Sequence, residues 1–182
     1  MIGILLNDTS YEQDIRELLM AFYPGETFAH EKQEDVTYYI EGNYAADPVA
    51  EDDFGTFTLR VIENDEVQAE CTFPLQYKNR LEAKTTIKKE LYTLLSERTG
   101  IVLPWGTLTG IRPTKIALTR LDEGWEEDKI RDFMRETYLT SEEKIDLSVE
   151  IAKREKELLS QIDYENGYSL YVGIPFCPTT CA

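Results

Sequence analysis

Apolar and polar positions along the chain run first at strand period, then helical, then strand again, and finally helical. Ile2 to Leu6 is a continuous apolar run of strand length. After "NDTS" the apolar residues Ile15, Leu18, Leu19 and Phe22 recur at helical spacing. Thr9 with Glu12, or Ser10 with Gln13, is placed for the reciprocal side-chain cap of a helix start, and Pro24 and Gly25 end the helix. Three runs then alternate: Val36, Tyr38, Ile40; Phe57, Leu59, Val61; and Val67, Ala69, Cys71, Phe73. Polar residues stand between the apolar ones, as in half-buried strands. "ENDE" joins the last two runs and is short enough for an antiparallel hairpin.

From Asn79 the period is helical, with Ile87, Leu91, Leu94 and Leu95 as the apolar stripe and Gly100 where a left-handed cap would close it. Arg80, Lys84 and Lys88 recur every four residues on another face, which reads as a solvated helix face or as a seat for a carboxylate-rich ligand or partner. The loop "LPWGTLTGIRPTK" follows. Pro113 suits the first turn of a helix through Ile116, Leu118 and Leu121, where a missing amide hydrogen leaves nothing unpaired, and Gly124 closes that helix. Two further helices are expected, one carrying Ile130, Phe133, Met134 and Thr137, the other running from a Thr140 and Glu143 capping signal to about Leu159. These patterns predict an α+β fold. Residues 1–100 form a unit of four mostly antiparallel strands with two helices, residues 101–162 a helical connector, and residues 163–182 begin another domain with a strand over "LYVGIPF".

Composition narrows the functions open to such a fold. Nineteen basic against thirty-five acidic side chains give a net charge of −16, which disfavours nucleic acid and anionic membrane surfaces as partners. No apolar run approaches the roughly 20 residues of a membrane span, and the first residues lack the pattern of a secretion signal, so a cytoplasmic protein is expected.

Cys71 shares the alternation of its strand and reads as a small buried hydrophobe. Cys177 and Cys181 differ, because they follow a strand pattern directly and enclose only Pro178, Thr179 and Thr180. A structural zinc site would want four ligands, and a redox pair would usually be spaced by two residues. An iron–sulfur anchor completed by further ligands and a plain thiol pair both stay open on spacing alone.

"YVGIPFCPTTCA" resembles the opening of the radical S-adenosylmethionine signature, CxxxCxxC, and the approach to it resembles that of the oxygen-independent coproporphyrinogen III oxidase family. "WGTLTGIRPTK" resembles the HemZ-type coproporphyrinogen dehydrogenase subgroup, which carries a long extension ahead of its radical domain. The resemblance implies that Cys177 and Cys181 ligate a [4Fe–4S] cluster, that Tyr171 contacts S-adenosylmethionine, and that the terminal strand is the first of a (β/α) barrel. It also implies a tetrapyrrole substrate, with propionates decarboxylated to vinyls in haem biosynthesis. The oxidases usually carry histidine where this chain has Gly173, a departure that bears on substrate. On this reading the 182 residues hold no catalytic residue, bind neither cofactor by themselves and are inactive alone. Arg112 and Lys115 are candidate contacts for cofactor or substrate carboxylates, or else simply flank a helix start. The alternative is a docking module for a redox partner or a haem-trafficking protein, steered by the acidic surface. The resemblance predicts a third cysteine two positions past Ala182; reading the gene further checks it, and any other residue there removes the cluster.

Overall fold

The computed structural model describes residues 1–47, 54–110, 112–163, 166–168 and 170–173. Five strands, β1 (Ile2–Leu6), β2 (Phe28–Ala29), β3 (Tyr38–Ala46), β4 (Phe54–Glu63) and β5 (Glu66–Gln76), form one sheet in the order β2-β1-β3-β4-β5. β1 runs parallel to both neighbours, while the longer ladders β3 with β4 and β4 with β5 are antiparallel. The extra strand, β2, has only two residues, too short to leave an alternation in the sequence.

The helix α1 (Glu12–Phe22) follows a single turn of 3₁₀ helix at Thr9–Tyr11. Asp8, not Thr9 or Ser10, supplies the cap: its carboxylate accepts from the Ser10 amide at 2.8 Å. α2 (Arg80–Thr99) starts at Asn79, whose side chain accepts from the Glu82 amide, and ends at Gly100 with φ 72°. Ile15, Leu18, Leu19 and Phe22 of α1 join Ile87, Leu91 and Leu95 of α2 in one core over Ile4, Ile40, Phe57 and Leu59 of the sheet. Each such fully buried aliphatic or aromatic side chain contributes about 1.5–3 kcal/mol, so this face dominates the stability of the unit.

Asn64 and Asp65 both take positive φ (52° and 63°), the two-residue turn whose twist matches a hairpin, as "ENDE" suggests. A bulge then interrupts the β4–β5 register, with Val61 opposite Ala69 but Ile62 opposite Val67. Because one extra residue exchanges the faces, Val67 leaves the core side and is 55% exposed, against the even alternation of the sequence. Cys71 keeps its expected side, half-buried against the main core, and burial raises its thiol pKa.

The opposite sheet face is polar apart from a small cluster of Ala29, Val36 and Tyr39. Val36 belongs there and precedes β3, so it does not share a face with Ile40 as its spacing suggests. Arg60 bridges Glu41 and Glu70 across three strands on this face, and Thr58 bonds Thr72 at 2.9 Å.

Three further helices, α3 (Thr114–Asp122), α4 (Glu127–Tyr138) and α5 (Glu142–Ser160), pack a second core from Ala117, Ile130, Met134, Ile145, Val149 and Ala152. Ser141 stands at the N-cap of α5 and makes no side-chain cap, so the Thr140 signal is not used, and Thr140 is buried instead. Leu170, Tyr171 and Val172 are exposed and belong to no strand. A strand needs a neighbour to pair its backbone groups, and the described part of "LYVGIPF" has none. Residues 174–182, with Cys177 and Cys181, lie outside the described residues.

Gly3 shows how tightly β1 is packed. A Cβ there would lie 2.0 Å from the Tyr39 ring, and that ring is fixed because its hydroxyl bonds both the amide and the carbonyl of Gln33 at 2.9 Å. Gly3→Ala should therefore cost about 1–3 kcal/mol by urea unfolding, and much less in a Tyr39→Ser background. Equal costs in the two backgrounds would remove the ring as the cause.

Candidate functional site

The basic side of α2 is withdrawn from solvent by degrees: Arg80 stays exposed, Lys84 is half-exposed and Lys88 is buried. With the apolar stripe turned onto the sheet, Arg80, Lys84 and Lys88 come against α1 and the loop that precedes α3. Lys84 Nζ lies 2.5 Å from the buried Asp14 carboxylate, and Arg80 donates to the Ser10 carbonyl at 3.1 Å. Lys88 Nζ donates to Thr109 Oγ1 at 2.7 Å, and Thr109 donates to Glu17 Oε2 at 3.1 Å. The basic stripe thus meets carboxylates of its own chain, and one turn of the loop is threaded into the seam.

Backbone contacts hold that loop. The Thr107 amide donates to the Tyr138 carbonyl at 2.8 Å, and the Ser141 amide donates to the Pro104 carbonyl at 3.0 Å. Gly106 sits between with φ 58°, and a Cβ on it would lie 1.9 Å from the Tyr138 carbonyl oxygen. Only glycine satisfies both the left-handed backbone and this approach. Pro113 precedes α3 as expected, with the Ile116 amide donating to its carbonyl at 3.0 Å.

Of the residues singled out from the sequence, Arg112 and Lys115 lie on this loop and at the start of α3, beside one cleft. Arg112 is 3.4 Å from Glu155 of α5, and Lys115 is exposed and forms no ion pair among the described residues. Tyr171 is 91% exposed and does not line the two clefts beside this loop. No group of three or more histidine, cysteine, aspartate or glutamate side chains among the described residues is arranged to hold a metal, and the two motif cysteines are not among them. The site therefore brings Arg112 and Lys115 together but leaves the fit of a cluster to residues beyond it.

Lys88 was hidden in the basic stripe. The signal for it was position: it falls beside Ile87 and three residues before Leu91, at the border of the apolar stripe. It is 5% exposed, and burial first, then the charge of Lys84, holds its pKa below the ordinary lysine value, with Glu17 and Asp14 opposing.

Two comparisons find nothing: no family model and no solved structure matches the chain. Over 102 residues, 56% of its length, the chain is 39% identical to the oxygen-independent coproporphyrinogen-III oxidase-like protein HemZ of Bacillus subtilis (strain 168). That stretch bears out the resemblance read from the sequence, and it spans 20% of the length of the relative.

A lysine with a folded pKa below its unfolded one leaves the folded state with fewer protons between the two values. Stability then rises as pH climbs from the folded pKa of Lys88 toward the ordinary lysine value. Lys88→Met keeps the volume and removes that rise, and its stability at neutral pH should equal or exceed that of the parent. Urea unfolding at neutral and alkaline pH measures both; an unchanged alkaline slope would contradict the burial of the ammonium.

Proposed function

We propose that this chain is part of an oxygen-independent coproporphyrinogen III oxidase-like oxidoreductase of haem biosynthesis, using radical S-adenosylmethionine chemistry. The observation that carries the reading is the 39% identity over 102 residues to the HemZ protein, together with the "IPFCPTTC" motif that the same family resemblance had marked. In the reaction each propionate loses carbon dioxide, one proton and two electrons to become a vinyl group. Cys177 and Cys181 would ligate the [4Fe–4S] cluster with a third cysteine outside these residues, and Tyr171 would contact S-adenosylmethionine. When bound, cluster and S-adenosylmethionine supply the hydrogen-abstracting chemistry, and the protein orients it. The described residues take the supporting part: two packed cores that fix a basic cleft, with catalysis left to a domain that follows.

A second reading, a docking module for a basic redox partner or a haem-trafficking protein, is favoured by two observations. The chain carries a net charge of −16, and α5 exposes Leu147, Ile151 and Leu158, with Ile162 exposed two residues past its end.

The longer gene product, reconstituted with iron and sulfide under reducing conditions, should bind one cluster and release 5′-deoxyadenosine with coproporphyrinogen III. Cys177→Ala should lose the cluster's visible absorption while the far-ultraviolet circular dichroism stays the same. Partner or haem binding without consumption of coproporphyrinogen would favour the docking reading instead.

A further inference from the structure

Two clefts share a wall beside the loop that Gly106 locks in place. One, of about 190 Å³, is lined by Lys84, Lys88, Thr107, Leu108 and Thr109. The other, of about 360 Å³, is lined by Arg112, Lys115, Thr119 and Arg120. Leu81, Ile116 and Tyr138 line both. Among the described residues no carboxylate lines either cleft, although the chain as a whole has net charge −16. In this acidic chain five cations, Lys84, Lys88, Arg112, Lys115 and Arg120, stand around one apolar floor.

Lys88 adds a second and independent observation. Its ammonium carries three donors, and among the described residues the one acceptor it meets is Thr109 Oγ1. Asp14 is bonded by Lys84 and Glu17 by Thr109, so both carboxylates act on Lys88 through their charge without filling its remaining donors. A cation kept from water with donors unfilled is costly, and an anion in the cleft would supply both acceptors and counter-charge. Arg112 meets Glu155 at a loose 3.4 Å, and Lys115 is unpaired among the described residues, so the second cleft also has cation to offer.

We propose that the paired cleft binds an apolar-bodied polycarboxylate. One carboxylate seats on Lys88, another on Arg112 and Lys115, and the body lies over Leu81, Ile116 and Tyr138. Tetrapyrrole acids and long-chain dicarboxylates share this chemistry. The polycarboxylate class is argued from the cleft itself, and the choice of a tetrapyrrole acid within that class rests on the proposed function.

The probes are coproporphyrin III, its tetramethyl ester and dodecanedioate, titrated into the 182-residue chain and followed by porphyrin fluorescence for the first two and by isothermal titration calorimetry for dodecanedioate. Coproporphyrin III should bind saturably, and dodecanedioate should displace it. Lys88→Met and Arg112→Ala should each weaken binding roughly tenfold or more. Arg131→Ala, which removes a residue paired with Asp146 between α4 and α5, should leave binding unchanged. The ester should fail to bind. Circular dichroism and urea unfolding establish that each variant is folded. Equal binding by the ester, full binding by folded Lys88→Met, or no binding by either acid overturns the proposal. Binding of dodecanedioate at Lys88 without coproporphyrin III supports the cleft and counts against the tetrapyrrole reading. Porphyrin binding that ignores Lys88 and Arg112 does the reverse.

Discussion

One sheet face has to be covered, and the covering of that face by α1 and α2 sets nearly everything else. β1, β3, β4 and β5 turn Ile4, Ile40, Phe57, Leu59 and Phe73 to the same side, and these residues cannot stay in water. Once Leu18, Leu19, Ile87, Leu91 and Leu95 are laid on them, the rotation of each helix about its axis is fixed. The flank of α2 that bears Arg80, Lys84 and Lys88 is thereby turned toward Asp14 and Glu17 of α1. The charged seam follows from hydrophobic packing; the charges then set its details.

Main-chain hydrogen bonds help join the second core to the first. Thr107 and Pro104 hydrogen-bond across to Tyr138 and Ser141 at the α4–α5 corner, and Gly106 makes that approach sterically possible. Thr109, a few residues on, ties the same loop to Lys88 and Glu17. Hydrogen bonds at Pro104, Thr107 and Thr109 hold this stretch of the loop between the two cores, and a cleft gains affinity when its cations are in place before a ligand arrives.

Burial also explains why the basic side chains of the cleft are unequal. Lys84 has a direct carboxylate partner, Arg120 pairs with Glu123 and lies over the rings of Trp125 and Phe133, and Arg112 has a looser one in Glu155. Lys88 alone combines deep burial with a neutral hydrogen-bond partner among the described residues. Low dielectric makes such a group sensitive to any charge brought near, in either direction.

Local chemistry was legible wherever the reason was local. Gly100 was marked as a left-handed cap and "ENDE" as a hairpin turn, because a positive φ and a two-residue connection depend on the neighbouring residues alone. The α+β class, the apolar stripe of α2 and the resemblance to HemZ were equally open to reading. Asp8 as the first cap, the face of Val36 and the exposure of Val67 were not, since a 3₁₀ turn, a packing choice and a bulge intervene. Arg112 and Lys115 were visible as charges in a loop, whereas Lys88 looked like one of a solvated series. The sequence by itself determined which residues are apolar, which bear charge and where the chain turns, since these are properties of single residues and near neighbours. Only the tertiary structure decided which charges are withdrawn from water and what they face, because desolvation and pairing are set by segments that the chain brings together from as far apart as Glu17 and Thr109.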